Sequence, residues 1–112
     1  MSIDDWSENI VVLELQEGPA LADDLVTMME RLEHTADLNV VVSFSAINYL
    51  NSSNIAKLLR LRKKIITNRR KLVLCHIGTS VWGLFLITGL DKVFKFADNV
   101  ANGLASVQLD GD

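Results

Sequence analysis

Three short runs of β-branched and aliphatic residues, Asn9 to Leu15, Asn39 to Phe44 and Lys71 to Ile77, constrain this chain more than any other feature. Each is too short and too β-branched for a helix, so each reads as a strand. The second is apolar almost without interruption, the pattern of a strand buried on both faces, and belongs at the centre of a sheet. Between the runs lie stretches of helical period. From Ala20 to His34, Leu21, Leu25, Met28 and Leu32 recur at one-turn spacing behind Pro19, a residue suited to a first turn. About Ser52 to Asn68 and Ser80 to Thr88 repeat the theme, the latter stopped by Gly89. Val93 to Phe96 and a helix around Asn99 to Gln108 complete the order, and residues ahead of Asn9 can add a short edge strand. Strands alternating with helices define an α/β domain, and helical crossovers make most neighbouring strands parallel. At 112 residues the chain is a single domain, 1–112.

Charge is segregated along the chain. Residues 1–56 carry one Arg against ten acids, a net of −9, whereas residues 57–71 carry eight Lys or Arg and no acid. A nucleic-acid patch is one reading of such a block. However, Lys57, Arg60, Lys63 and Lys64 interleave with Ile55, Leu58, Leu59, Leu61, Ile65 and Ile66, as on a helix with one solvated face, and no aromatic residues alternate with the charges. No nucleic-acid partner is expected. Arg62, lying within the apolar stripe, must carry its charge out to an edge. The longest strongly apolar stretch, Val81 to Leu90, falls well short of the ~20 residues that span a bilayer, so no membrane insertion is expected. Met1 to Glu8 is acidic and unlike a secretory signal, and a lone Cys permits no internal disulfide, which together suit a reducing cytoplasm.

The residues that could carry catalysis are few. Cys75 and His76 are adjacent in a predicted strand, so their side chains should point to opposite faces, and Cys75 reads as packed core. His34 reads as a polar group at a helix end. Asp23, Asp24, Glu30 and Glu33 read as surface charges of the first helix, with nothing to desolvate them. Two separated His and one Cys give no zinc spacing, and no glycine-rich phosphate loop follows a strand. Neither catalytic residue, metal nor cofactor is expected.

The segment Asn51-Ser52-Ser53-Asn54 opens the basic helix. Asn and Ser are favoured helix caps because their short oxygens accept from the unpaired N–H groups of the first turn. A hydroxyl at a helix start is also a place where a phosphate would be stabilised by those N–H groups and the dipole, while adding about −2 of charge.

The stretch Val40-Val41-Val42-Ser43-Phe44-Ser45-Ala46-Ile47-Asn48-Tyr49-Leu50-Asn51-Ser52-Ser53-Asn54-Ile55-Ala56-Lys57-Leu58-Leu59 resembles the signature of the STAS domain of bacterial anti-sigma factor antagonists. There a hydrophobic strand leads through an Asp-Ser-Ser-Gly-Leu turn into an amphipathic helix. Leu72-Val73-Leu74-Cys75, then Val81, Leu84 and Phe85, then Thr88-Gly89-Leu90 and Val93-Phe94, are similar to the family's second half, and the likeness runs from about Ile10 to Ser106. It implies a STAS-like sandwich: a mixed, mostly parallel sheet of four to five strands, covered by about four helices mainly on one side. It also implies a non-enzymatic antagonist that binds an anti-sigma factor, itself a serine kinase, to free a sigma factor for transcription. By the same resemblance, phosphorylation of Ser52 would break that complex and a serine phosphatase would reset it. Asn51, Ser53 and Asn54 would be partner contacts, although Asn51 stands where the family has Asp and Asn54 where it has Gly. The alternatives are an unmodified stressosome-like scaffold or a subunit of a transporter complex. Trp82 and Leu86, four apart and outside the face formed by Val81, Leu84, Phe85 and Thr88, would make a further partner surface or a homodimer contact.

Overall fold

The structure, a computed structural model, describes residues 2–109, with side chains described for residues 3–108. In chain order the elements are β1 (Ser2–Ser7), β2 (Ile10–Glu14), α1 (Pro19–His34), β3 (Asn39–Ser43), α2 (Ser52–Thr67), β4 (Leu72–Cys75), α3 (Thr79–Thr88), a 3-10 turn at Leu90–Lys92, β5 (Lys95–Ala97) and α4 (Val100–Leu109). The sheet runs β1-β2-β3-β4-β5. β1 is antiparallel to β2, with a register break between Asp5 and Ser7, and the other three pairs are parallel. As the sequence requires, β3 is central and all five of its residues are buried.

Alternation along the strands divides the core. Val11, Leu13, Val40, Val42, Leu72 and Leu74 point to one face, where they meet Leu25, Met28 and Leu32 of α1, Leu58, Leu61 and Ile65 of α2, and Val81 and Phe85 of α3. Ile10, Val12, Val41, Val73 and Cys75 point to the other, where α4 covers them through Val107 and the partly buried Val100 and Leu104. Three helices therefore lie on one face and one on the reverse, in agreement with the expected sandwich.

Three expectations need correcting. Asp24 is not a surface charge: it is 3% exposed, because it lies on the same stripe as Leu21, Leu25 and Met28, and its carboxylate accepts the Gln16 N–H at 3.1 Å. The last strand begins later than Val93, since Val93 and Phe94 close the 3-10 turn onto Leu90 and the Phe94 ring stacks on Phe85 at 6.0 Å inside the core. β4 ends at Cys75, so His76 lies outside the strand, exposed, at φ 57. Arg62 is half-buried as expected, and its Nε donates to the Val93 carbonyl at 3.0 Å, tying α2 to the segment before β5.

Candidate functional site

Parallel strands leave a crevice beyond their carboxyl ends, where loops from neighbouring strands meet. In this protein the loops after β2 and β3 meet there. Ser45 Oγ donates to the Glu14 carboxylate at 2.8 Å, and Glu17 accepts the Asn48 backbone N–H, so the two loops are cross-linked. Ile47 and Leu50 anchor the second loop in the core, and between these anchors Tyr49 stands out, 69% exposed. Glu17, Leu21, Tyr49, Asn51 and Asn54 border a hollow of about 320 Å³ beside the start of α2.

The cap of α2 is Asn51, whose Oδ1 accepts the Asn54 N–H at 2.7 Å. Ser52 is the first helical residue and is exposed. Because the Asn51 side chain already supplies the cap, the Ser52 hydroxyl is not needed for it. Ser53, also exposed, accepts from Lys57 Nζ at 2.9 Å. Asn54 does not stand open to a partner as expected; it is buried, since it continues the core stripe of Leu58, Leu61 and Ile65 back to the helix start. The turn thus joins Asn51, Ser52 and Ser53 at one exposed site, with Asn54 beneath them. Tyr49 was not singled out from sequence. Its signal was an aromatic residue beside Asn48 in the short connection between Ile47 and Leu50, where loop residues carry function.

Residues 3–103 match the family model of the STAS domain. The chain belongs to the STAS domain family. Solved structures similar to this STAS domain agree on its fold. A serine-to-glutamate variant of RsbS from Moorella thermoacetica superposes with a TM-score of 0.81 at 17% identity, covering 96% of this chain and 93% of its own. A chain from the molecular architecture of the stressosome, a signal integration and transduction hub, gives 0.75 at 22% identity and 96% coverage of each chain. A Thermotoga maritima protein, provisionally described as an anti-sigma factor antagonist, gives 0.72 at 12% identity, covering 91% of this chain and 90% of its own.

Trp82 and Leu86 belong to α3 and are not part of the serine turn of this STAS domain. Trp82 is 37% exposed and leans edge-on against Phe96 at 5.1 Å, while Leu86 and Ile87 stand further out, Ile87 at 87%. Cys75 is fully buried at the end of β4. Burial, reinforced by the Glu14 carboxylate and opposed by a hydrogen bond with Ser43, pushes its thiol from 9.0 up to about 11. Only the thiolate is nucleophilic, so a native thiol of this kind is inert at neutral pH. The native state also keeps this proton at pH values where the unfolded chain has released it. The unfolded state then binds fewer protons, so stability falls as pH rises from about 9 to about 11. Urea midpoints measured across that range should decline, and Cys75→Ala should flatten the decline. Among the described residues no group of three or more His, Cys, Asp or Glu side chains could hold a metal ion, and no helix is long and apolar enough to cross a membrane.

Proposed function

We propose that this STAS domain is a non-enzymatic adaptor of a partner-switching system, an anti-sigma factor antagonist that docks a serine kinase on the Ser52 turn and is released when Ser52 is phosphorylated. The observation that carries this is the exposed hydroxyl at the first residue of α2, in a turn whose capping Asn51 already supplies. The kinase transfers the γ-phosphoryl group of ATP to Ser52 Oγ, the hydroxyl proton leaves to a kinase base, and ADP is the second product. The new dianion faces the open N–H groups of the first turn, so α2 is stabilised and does not melt. What changes is the surface: a partner that packs closely on the turn meets a bulky group with about two negative charges. A phosphatase restores the hydroxyl.

Family membership supports this reading, as do structural neighbours that include an RsbS and a stressosome chain. Exposed Tyr49 and the hollow beside Asn51 give the kinase a rigid place to grip, since both are set on loops pinned by Ile47 and Leu50. The α3 ridge of Trp82 and Leu86 offers a second contact, for a partner or another copy of the chain.

Incubation with the cognate serine kinase and ATP, followed by peptide mass spectrometry, tests the assignment. One phosphate on Ser52, absent from Ser52→Ala and retained in Ser53→Ala, is the expected result. Failure to incorporate phosphate while the kinase still binds would make the turn a permanent scaffold contact and overturn the switch.

A further inference from the structure

The basic block of the sequence is not used by the serine turn, and the fold gathers part of it at the opposite end of α2. Arg62 from α2, Arg70 and Lys71 from the segment before β4, and Lys95 from β5 line a small cavity whose remaining wall is apolar, Ile66 and Phe94 among it. Among the described residues no acidic one lines it. Basic residues at a helix C-terminus ordinarily answer the dipole, but that amounts to about half a charge, and Lys95 arrives from a different element. Four basic residues therefore border one hollow, one of them from an element that has no part in the helix end. Asp37 on the surface takes Arg70 Nη2 at 3.2 Å, whereas Arg70 Nε is buried with no hydrogen-bond partner. A buried donor without an acceptor costs free energy, which a nearby anion reduces.

Size narrows the occupant. The cavity holds about 160 Å³, below the ~300 Å³ at which pockets for drug-sized molecules begin. A compact, multiply charged anion fits both the volume and the charge. We propose that the cavity between the C-terminal part of α2 and the starts of β4 and β5 is a phosphate-binding site. Its guanidinium groups bind phosphate oxygens by charge-assisted hydrogen bonds, and Lys95 adds a point charge. Free phosphate and the phosphate of a lipid headgroup share this chemistry, with exposed Ile66 at the rim available to a headgroup's glycerol.

The test is an amide NMR titration of the full chain with inorganic phosphate at constant ionic strength, with chloride as control. Saturable shifts should concentrate at Arg70 to Leu72 and Val93 to Lys95. Lys95→Gln, at an exposed position, should weaken binding about tenfold, the loss of one charged hydrogen bond. Arg60→Gln, exposed on the same helix but outside the cavity, should change it less than about twofold. Linear shifts equal to those of chloride, or equal losses in the two variants, overturn the site. Flotation with phosphatidylglycerol vesicles separates the sources: flotation lost in Lys95→Gln assigns a lipid headgroup, and saturable phosphate binding without flotation assigns the free ion. Flotation that survives Lys95→Gln contradicts the proposal.

Discussion

Phe85→Ala should lower the free energy of unfolding by about 3–5 kcal/mol, the upper range for truncating a buried aromatic residue. Phe85 is fully buried and sits at the hub of the aromatic core, with Phe44 edge-on at 6.4 Å, Phe94 stacked at 6.0 Å and Phe96 tilted at 5.7 Å. Truncation removes the transfer free energy of the ring, leaves a cavity among three rings that cannot all collapse into it, and loses aromatic pairs worth roughly 0.5–1.5 kcal/mol each. A domain of this size has about 5–15 kcal/mol in total, so the variant should lie near the edge of unfolding. Urea denaturation reads the effect directly. A loss below about 1.5 kcal/mol would mean that α3 is not packed as described.

Gly103→Val on the reverse face should cost about 3 kcal/mol, and the reason is equally local. A Cβ at this position would lie 2.8 Å from Val41 Cγ1, with Val41 Cγ2 at 3.6 Å and Val73 Cγ1 at 3.7 Å. Val41 is fully buried on the central strand, and its branched side chain has little rotamer freedom with which to retreat. Gly103 is thus a point of close approach of α4 to the sheet, and its cost in helix propensity, about 1 kcal/mol, is offset by that approach. The two residues should couple: Gly103→Ala destabilises the wild-type background but should be neutral or stabilising once Val41→Ala has opened the space. If alanine at 103 has the same effect in both backgrounds, this contact does not set the helix position.

The strands and helices of the main face were legible because their signals are long and periodic. Continuous burial of β3 announces itself as Val40-Val41-Val42, and the α1 and α2 stripes repeat at helical spacing over four turns. The polar members of those stripes were harder to place. Asp24 and Asn54 hold core-face positions, but residue type argued for the surface, and only the partners of the folded chain, such as the Gln16 N–H, show how Asp24 is accommodated. β5 was displaced because Phe94 could serve equally as a strand residue or as the plug of a turn, and tertiary packing on Phe85 decided between them. The serine turn was legible in its capping chemistry. Its surroundings were less so: Glu17 is brought to it by a loop distant in sequence, while Tyr49, two residues before the cap, shows its exposure only in the folded loop.

The central claim, that charge at Ser52 undoes docking, is tested most directly by the affinity of the cognate kinase for wild type, Ser52→Ala and Ser52→Glu. Wild type and Ser52→Ala should bind comparably, while Ser52→Glu should bind about 30-fold more weakly or worse, as expected for an unpaired charge forced into an interface, with an unchanged fold by circular dichroism. Equal affinity of all three forms would contradict the account.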